Sequence, residues 1–329
     1  MKILITGSSG FIGSVLFDQL RRNNFDVHGI DIRPPRWRCK DDNEHHVNIE
    51  NKQELRSFMT ELCPTHIVHL AARTDLSVDS VVHYYANISG IANIIDTAQR
   101  AGTVERILWT SSQLVSRIGR IPEHPTDFSP DTSYGESKVI GEQIVRALDG
   151  GGMEWAILRP TTVWGPGMSD HYLSLLRYIE KRRYFHAGTD KIPKSYSYIH
   201  NTTHQITRLL QASKKMVHSN TFYIADYEPI YLNEWCDEIS AAMGAQSLPT
   251  IPIWAARALA IGGDALNATF APQFKFNSFR LRNILTPYVF DMTNLEAVVG
   301  ELPHDYFSAI KDTVYWYYDK GNPSNVGVK

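Results

Sequence analysis

The amino-acid sequence predicts an α/β fold, in which a doubly wound parallel sheet carries helices on both faces. The chain opens with a short apolar strand that runs into a glycine-rich turn, and further apolar runs then alternate with segments of helical periodicity. Such alternation favours a parallel sheet, because each crossover helix packs back onto the sheet. After Pro160 the loops lengthen and aromatic residues become frequent. We therefore expect a large domain over residues 1–160 and a smaller C-terminal lobe over residues 161–329, which is interleaved with the last strands of the large domain.

The N-terminal turn is the most specific local feature. An apolar strand at residues 3–6 is followed by Gly7, Gly10 and Gly13, and a helical pattern begins at once. The first glycine permits a tight exit from the strand, the second lets backbone N–H groups approach an anion, and the third lets the helix pack close to the strand. A pyrophosphate would lie at the helix N-terminus, where unpaired N–H groups favour negative charge. The spacing G-x-x-G-x-x-G therefore predicts a dinucleotide site.

Further apolar runs predict the other strands of the sheet, and the segments between them have helical spacing. The predicted strands are residues 26–31, 66–71, 106–111 and 155–159, and the predicted helices are residues 55–62, 87–101 and 134–148. Residues 66–71 form a continuous run that is partly β-branched, which is typical of a buried parallel strand. In the C-terminal lobe, the pattern favours strands at residues 196–199 and 221–224 and helices at residues 202–210 and 232–243.

The composition of the chain indicates which cellular compartment and which binding partners to expect. A formal net charge of −2 over 329 residues gives no indication of a nucleic-acid partner or of a membrane surface. The three cysteines match no metal-ligand spacing and favour a reducing compartment. No apolar run reaches the length of a membrane span, since the most apolar stretch, residues 251–261, is interrupted by Arg257. We therefore expect a cytoplasmic protein with no membrane span and no bound metal.

The charge at the end of the second strand bears on the identity of the dinucleotide. A carboxylate at Asp31 can accept hydrogen bonds from both hydroxyls of an adenosine ribose, and it would repel a 2′-phosphate. Arg33, Arg36 and Arg38 follow closely, and arginine could neutralise a 2′-phosphate. Because Asp31 itself occupies the discriminating position, the sequence favours NAD without excluding NADP.

A second group of residues has the chemistry of an acid–base system. Tyr134 and Lys138 are four residues apart on a predicted helix and share one face, and Ser111 and Ser112 end the fourth strand. A phenol has a reference pKa of about 10. An ammonium neighbour and a cationic nicotinamide would both lower it. With Ser112 bonded to a substrate oxygen and Lys138 holding the nicotinamide ribose, the group predicts hydride transfer at an alcohol or ketone carbon.

Five motifs together resemble a known family. They are TGSSGFIG at residues 6–13, HLAA at 69–72, TSS at 110–112, the Tyr134/Lys138 pair and LRPTTVWGP at 158–166. The chain resembles the extended short-chain dehydrogenase/reductases, and more narrowly the NAD-dependent epimerase/dehydratase group that acts on nucleotide sugars. The resemblance implies a Rossmann-type sheet, NAD as the cofactor and a catalytic trio of Ser112, Tyr134 and Lys138.

Position by position, the resemblance implies one set of residues for the cofactor and one for the substrate. The cofactor set is Gly7, Gly10, Phe11, Ile12, Gly13, Asp31, Arg33, Asn48, Ile49, Leu70, Ala71, Ala72, Asn87, Ser111, Tyr134, Lys138 and Thr161. The substrate set is Thr74, Ser112, Gln113, Thr162, Arg280 and Arg282. The two arginines would form a guanidinium fork for a diphosphate, although two solvated loop arginines are an equal alternative.

Departures from the family pattern narrow the implied activity. The carboxylates that the dehydratases carry near Gln113 are missing, which argues against elimination of water. The cysteine of the fucose-synthase branch is also missing there, which argues against 3,5-epimerisation. Asn48 replaces the usual Asp beside adenine, and Thr162 replaces a common Asn beside the substrate diphosphate. The resemblance then implies a nucleotide-sugar epimerase acting at C4, with Tyr134 as the acid/base.

The sequence is also compatible with two other functions. One is net oxidoreduction by an NAD(P)-dependent keto-sugar reductase or a 3β-hydroxysteroid-type dehydrogenase, and the apolar residues 251–261 favour the steroid-type enzyme. The other is a non-catalytic NAD(P)-sensing protein, against which the intact trio argues.

A homodimer is also expected, because the helices from Asn87 and from Tyr134 should keep apolar stripes that the core does not consume. Family members commonly pair through these helices. The expected contacts are Ile91, Ile95, Ala98, Ile140, Ile144 and Leu148.

Overall fold

A seven-stranded parallel sheet forms the centre of the molecule. The computed structural model describes residues 1–35, 39–76, 78–168, 170–270 and 276–321. The strands are β1 (Lys2–Thr6), β2 (Asp26–Asp31), β3 (Glu44–His46), β4 (His66–His69), β5 (Arg106–Thr110), β6 (Glu154–Pro160), β7 (Thr162–Trp164), β8 (His186–Ala187), β9 (Pro193–Lys194), β10 (Tyr196–Tyr198), β11 (Asn220–Ile224), β12 (Ile230–Tyr231) and β13 (Thr250–Ile251). The order across the large sheet is β11-β6-β5-β4-β1-β2-β3.

Helices cover both faces of this sheet and build most of the C-terminal lobe. They are α1 (Phe11–Arg22), α2 (Lys52–Leu62), α3 (Tyr85–Ala101), α4 (Ser133–Ala147), α5 (Asp170–Glu180), α6 (Ile199–Gln211), α7 (Lys214–Val217), α8 (Leu232–Ala242), α9 (Ile253–Phe270), α10 (Ser278–Leu285), α11 (Thr293–Val299) and α12 (Tyr306–Trp316). Within the described ranges, none of these helices combines the length and the apolar character that crossing a bilayer requires.

The predicted Rossmann-type α/β fold is confirmed, and each of the five predicted strands lies in the large sheet. The pattern missed β3, because Glu44, His45 and His46 have no apolar alternation and join the edge through their backbone. It also placed residues 221–224 in the small lobe, whereas β11 pairs with β6 as an edge strand of the large sheet.

The alternation of side chains in β1 shows how the sheet builds a core on each face. Ile3 and Ile5 are buried with Leu16 and Phe17 of α1 on one face. Leu4 points the other way and is buried in a second cluster with Ile94 of α3. Because both faces are covered, the strands need apolar residues at successive positions, which explains the continuous runs in the sequence.

Residues 161–329, the expected C-terminal lobe, add three two-stranded sheets, β7 with β10, β9 with β12 and β8 with β13, while α6 and α11 of this range pack into the core of the large sheet. The lobe's own largest cluster joins residues of α5, α8 and α12, including the fully buried Trp235. A separate small cluster joins α9 to α10 through Ala256, Ala260 and Leu281. The two-helix unit α9–α10 thus forms one side of the lobe.

The expected apolar stripe on α3 is wrong. Ile91, Ile95 and Ala98 are buried in the core of the subunit, because α3 packs between α2 and α4. The approach of α3 to α4 is so close that a Cβ on Gly141 would lie 2.6 Å from the Ile91 Cδ1 atom. On α4, Ile140 and Ile144 are half-buried. Leu148, just after the helix, is exposed.

A buried ion pair holds α4 against the sheet. The Arg159 Nε and Nη2 atoms of β6 each donate to a carboxylate oxygen of Glu142 at 2.8 Å, and both side chains are 2% exposed or less. Arg159 also donates to the Tyr223 hydroxyl at 3.1 Å and to the Pro125 carbonyl oxygen at 2.5 Å. The bidentate geometry fixes the helix relative to β6 more firmly than a single contact would.

We expect Glu142→Gln to lower the free energy of unfolding by about 3 to 5 kcal/mol, because it leaves the Arg159 guanidinium buried and uncompensated. Urea unfolding of the purified chain measures this. Glu136→Gln, at an exposed position of the same helix, is the control and should change stability by less than about 0.5 kcal/mol. Equal stability of the two variants would contradict the anchoring role of the pair.

Candidate active site

The glycine turn leaves no room for side chains on its inner side. Gly7 has a φ of 75°, and a Cβ there would lie 2.7 Å from the Ala71 backbone nitrogen. A Cβ on Gly13 would lie 2.1 Å from the Gly7 carbonyl oxygen. Helix α1 begins at Phe11, after Gly10, with no side-chain cap and no acidic residue in its first turn. Its first N–H groups therefore suit an anionic ligand, and Phe11 and Ile12 lie in that first turn.

Asp31 lies directly beside this turn. Its Oδ2 atom accepts from the Ser9 backbone nitrogen at 3.1 Å, and its Oδ1 atom accepts from the Arg33 nitrogen at 3.0 Å. The carboxylate is half-buried and the Arg33 side chain is exposed. Arg36 and Arg38 lie outside the described residues. Asp31 thus joins the end of β2 to the glycine turn and keeps part of its surface open to a ligand.

Of the two predicted adenine contacts, only Asn48 keeps a partly exposed side chain. Its Oδ1 atom accepts from the Glu50 nitrogen at 3.0 Å. Ile49 is buried beneath α3, where a Cβ on Gly90 would lie 2.7 Å from its Cδ1 atom. The Asn93 amide donates to the Ile49 carbonyl oxygen at 3.0 Å. The Ile49 side chain therefore belongs to the core and not to an open surface.

The segment after β4 lies beside the glycine turn at the point where the strand order reverses. Leu70 donates its backbone N–H to the Thr6 carbonyl oxygen at 3.0 Å, and Ala71 donates to the Thr6 hydroxyl at 3.2 Å. Leu70, Ala71 and Ala72 are half-buried. In open α/β sheets ligands bind in the crevice outside the carboxyl ends of the strands at such a reversal.

Asn87 holds this segment in place and has no capacity left for a ligand on its amide nitrogen. Its Oδ1 atom accepts from the Arg73 nitrogen at 2.8 Å, and its Nδ2 atom donates to the Arg73 carbonyl oxygen at 3.0 Å and to the Ser137 hydroxyl at 2.8 Å. The neighbouring Thr74 is exposed. The structure therefore gives Asn87 a positioning role between the crevice and α4.

Ser112, Tyr134 and Lys138 come together as the sequence predicts. Ser112 follows β5, and α4 begins next to it because Thr132 caps the helix by accepting from the Gly135 nitrogen at 3.0 Å. The Tyr134 hydroxyl is hydrogen-bonded to Ser112. The Lys138 Nζ atom donates to the Thr110 carbonyl oxygen at 2.9 Å and lies 5.9 Å from the centroid of the Tyr134 ring. All three side chains of the trio are buried.

The burial of this group changes its proton affinities. Burial raises the pKa of Tyr134 to about 12, while the bond to Ser112 opposes the rise and Tyr84 adds to it. Burial lowers the pKa of Lys138 to about 8, and Glu142 opposes that fall. The expected fall in the Tyr134 pKa is therefore not found in the chain by itself, because desolvation by burial is the largest influence on this phenol. At neutral pH the phenol keeps its proton and is poised as an acid.

Two buried hydroxyls beside the trio differ in whether they have a hydrogen-bond partner. The Ser111 Oγ atom has no hydrogen-bond partner within the described chain, although the Ser111 N–H donates to the Leu158 carbonyl oxygen at 2.6 Å. Thr161 donates its hydroxyl to the Ile224 carbonyl oxygen at 3.0 Å. A buried polar atom without a partner is rare, and a bound ligand group would satisfy Ser111.

Sequence reasoning missed two tyrosines on the substrate side. Thr162 begins β7, and its side chain acts on the phenols of Tyr172 and Tyr196 and opposes the rise in their pKa. Burial raises the pKa of both phenols, while the Arg280 guanidinium is close enough to oppose that rise in both. Thr162, Tyr172, Tyr196 and Arg280 are all half-buried, and we call this group of polar side chains the recess.

The expected arginine fork is wrong. Arg280 and Arg282 are two residues apart on helix α10, so their side chains leave the helix on different sides. The charge of the half-buried Arg280 acts on the phenols of Tyr172 and Tyr196, whereas the exposed Arg282 lies 5.6 Å from the Phe279 ring centroid. Gln113, also predicted for substrate binding, is half-buried, and its carbonyl oxygen accepts from the Tyr288 hydroxyl at 3.2 Å.

The comparison with protein families agrees with this site. The family model described as the NAD dependent epimerase/dehydratase family matches residues 3–225. The chain belongs to this family. NAD is its cofactor, and the uncapped helix N-terminus, the Asp31 carboxylate and the unpartnered Ser111 hydroxyl fit such a ligand.

Individual relatives of this family member differ in what they act on. A 3-beta-hydroxysteroid dehydrogenase from Mycolicibacterium neoaurum is 26% identical over 77% of this chain and 72% of its own length. A UDP-glucose 4-epimerase from Vibrio cholerae is 28% identical over 77% and 79%. The UDP-glucose 4-epimerase of Thermus thermophilus, crystallised with NAD, superposes with a TM-score of 0.72 at 20% identity and covers 97% of this chain and 99% of its own. The chain is an epimerase/dehydratase-family enzyme whose substrate these identities leave open.

We expect Tyr134→Phe to keep the fold and the affinity for NAD but to lose about 10² to 10⁴-fold in turnover, because the acid/base hydroxyl is gone. Circular dichroism, NAD titration and steady-state rates measure the three properties. The control is Tyr84→Phe, which removes a buried phenol whose ring centroid lies 6.1 Å from that of Tyr134. Comparable activities in the two variants would show that Tyr134 is not the acid/base group.

We expect Asp31→Asn to weaken NAD and to improve the relative affinity for NADP, because the charge that repels a 2′-phosphate is lost while Arg33 remains. Fluorescence titration of both cofactors against both proteins measures the change. Asp26→Asn, at the exposed start of the same strand, should leave the preference unchanged. Tighter NADP than NAD in the unaltered chain would show that the arginines dominate.

Proposed function

We propose that this enzyme is an NAD-dependent epimerase of a nucleotide sugar and that it acts at C4. The observation that carries the proposal is the half-buried Arg280, whose charge acts on the buried phenols of Tyr172 and Tyr196 and opposes the rise in their pKa. A guanidinium beside three hydroxyls suits the diphosphate of a nucleotide sugar. A neutral, apolar substrate has no use for a cation there. The overall likeness to UDP-glucose 4-epimerases is in keeping with this choice.

The residues of the trio divide the chemistry between them. Tyr134 takes the proton of the C4 hydroxyl as a phenolate and later returns it to the ketone oxygen as a phenol. Ser112 holds the same substrate oxygen and the Tyr134 hydroxyl, so both proton transfers run over short distances. The Lys138 ammonium, 5.9 Å from the tyrosine ring, stabilises the phenolate. NAD held at the glycine turn and Asp31 would supply the hydride acceptor and donor for C4 of the sugar.

A second candidate is a net dehydrogenase or reductase of an apolar alcohol or ketone. The likeness to a 3-beta-hydroxysteroid dehydrogenase favours it, and so does the exposed apolar surface of α9. The absorbance of reduced nicotinamide separates the two functions. An epimerase interconverts two sugars without net change in that absorbance, whereas a dehydrogenase accumulates the reduced cofactor in proportion to product. Accumulation with steroids and inactivity with nucleotide sugars would overturn the proposal.

We expect Arg280→Gln to raise the KM for a nucleotide sugar by about ten-fold or more, because a charge-assisted contact to the diphosphate is lost. Arg282→Gln is the matched control on the same helix, and its KM should stay within about two-fold. Steady-state kinetics on UDP-glucose and UDP-galactose, with the free nucleotide as a competitive inhibitor, measure both. Equal KM values for the two variants would show that Arg280 does not contact the substrate.

The proposal extends to assembly and compartment. We place the enzyme in the cytoplasm, where its three widely spaced cysteines would stay reduced. We also retain a homodimer through the outer faces of α3 and α4, where Tyr85 is 60% exposed and Ile140 is half-buried.

We expect Tyr85→Glu to shift a dimer towards monomer in light scattering over a dilution series, because a charge would be buried at the interface. Tyr315→Glu, on the distant helix α12, is the control and should leave the dimer intact. A monomer of 37.3 kDa at every concentration of the unaltered chain would refute the dimer.

A further inference from the structure

Helix α9 is apolar on the side that faces solvent. Its buried side carries Ala256 and Ala260, which pack on α10. The opposite side has no polar side chain over roughly half the circumference between residues 254 and 266, since Arg257 and Asp264 both lie along one flank. A helix that is apolar all round is normally covered on every side.

The exposed residues of this side are large. Trp254 is 74% exposed and Ile261 is 64% exposed, and they lie seven residues apart on the same face. Leu259 and Leu266 extend the face and are 52% and 44% exposed. Leu259 and Leu266 form a second row, about 140° around the helix from Trp254 and Ile261. Only alanines and a glycine lie between the two rows, and we call this whole apolar surface the α9 face. Contiguous exposed apolar surface of this kind marks an interaction site.

The charge around the α9 face identifies its partner. Among the described residues of α9 and α10, the exposed charged side chains are Arg257, Arg282 and Asp264, which is a small basic excess in a chain whose net charge is −2. Arg257 lies on the flank of α9, and Arg282 is exposed on α10 next to Phe279, which is 52% exposed. Two copies of this segment would bring like charges together, whereas an anionic surface would neutralise them.

We propose that the α9 face binds the surface of an anionic lipid bilayer, with Trp254 and Ile261 inserted among the acyl chains. A bilayer accepts a long apolar strip without matching its shape, and tryptophan favours the boundary between headgroups and hydrocarbon. Arg257 and Arg282 would lie at headgroup level, where cations are attracted to acidic lipids. The net charge of the whole chain does not predict membrane binding, because the basic excess is local to this segment.

Binding would bring the substrate recess close to the membrane. Leu281 of α10 packs on α9, and the preceding residue, Arg280, reaches the recess. A single helix therefore separates the α9 face from the polar group that we assign to a substrate anion. Membrane binding does not depend on that assignment, since it is measured without turnover.

Flotation of the full chain with vesicles tests the proposal. Vesicles of phosphatidylcholine alone and of phosphatidylcholine mixed with phosphatidylglycerol are compared. We expect the chain to float with the mixed vesicles and more weakly with the neutral ones. Trp254→Ser/Ile261→Ser should lose at least about ten-fold in partitioning to both. Arg257→Gln/Arg282→Gln should lose about five-fold per charge with the mixed vesicles only.

Tyr315→Ser is the matched control, because Tyr315 is also 74% exposed but lies on α12. It should float like the unaltered chain, and circular dichroism verifies that every variant is folded. A chain that stays in solution with both vesicle types overturns the proposal. So does flotation that survives Trp254→Ser/Ile261→Ser. Light scattering that shows an oligomer dissolved by that double variant, without vesicle binding, would assign the α9 face to a second copy.

Discussion

The buried pair of Glu142 and Arg159 is the interaction on which the active site depends. Tyr134, Lys138 and Glu142 are spaced by four residues, so they lie along one face of α4. When Glu142 is fixed to β6 by two 2.8 Å bonds, the position of Lys138 and Tyr134 relative to the sheet is fixed as well. Glu142 also opposes the fall in the Lys138 pKa that burial causes. One carboxylate thus supports both the geometry and the charge of the site.

The same burial that orders the trio makes its proton transfers difficult. A phenol whose pKa is raised to about 12 stays protonated at neutral pH and so cannot accept a proton, and a lysine whose pKa is lowered to about 8 holds its proton less firmly. The difficulty is removed when positive charge lies beside the phenolate, since the charged form is then stabilised. The chain supplies one such charge at Lys138. The site is therefore complete only when its cofactor is in place, and acid–base chemistry is linked to hydride transfer.

Local spacing explains which parts could be predicted from the sequence. The glycine turn, the strands and the Tyr134/Lys138 pair depend on neighbours within a few residues, and they follow from helix and strand geometry. The recess does not, because Thr162, Tyr172, Tyr196 and Arg280 come from four separate elements and no short pattern relates them. The stripe on α3 failed for a related reason. Periodicity shows that Ile91 and Ile95 face an apolar surface, but it does not show whether that surface belongs to the same subunit.

Helix α10 connects the two least predictable parts of the molecule. Its N-terminus is capped by Asn277, whose side chain accepts from the Arg280 nitrogen at 2.8 Å. Its C-terminus is held by Lys194, whose Nζ atom donates to the Asn283 carbonyl oxygen at 2.7 Å and also to that of Thr286. Because both ends are held, Arg280 cannot move far unless the whole helix moves. Leu281 is buried against α9, so any displacement of α9 would carry α10 with it. The backbone of Arg280 is therefore linked to α9 through its neighbour Leu281.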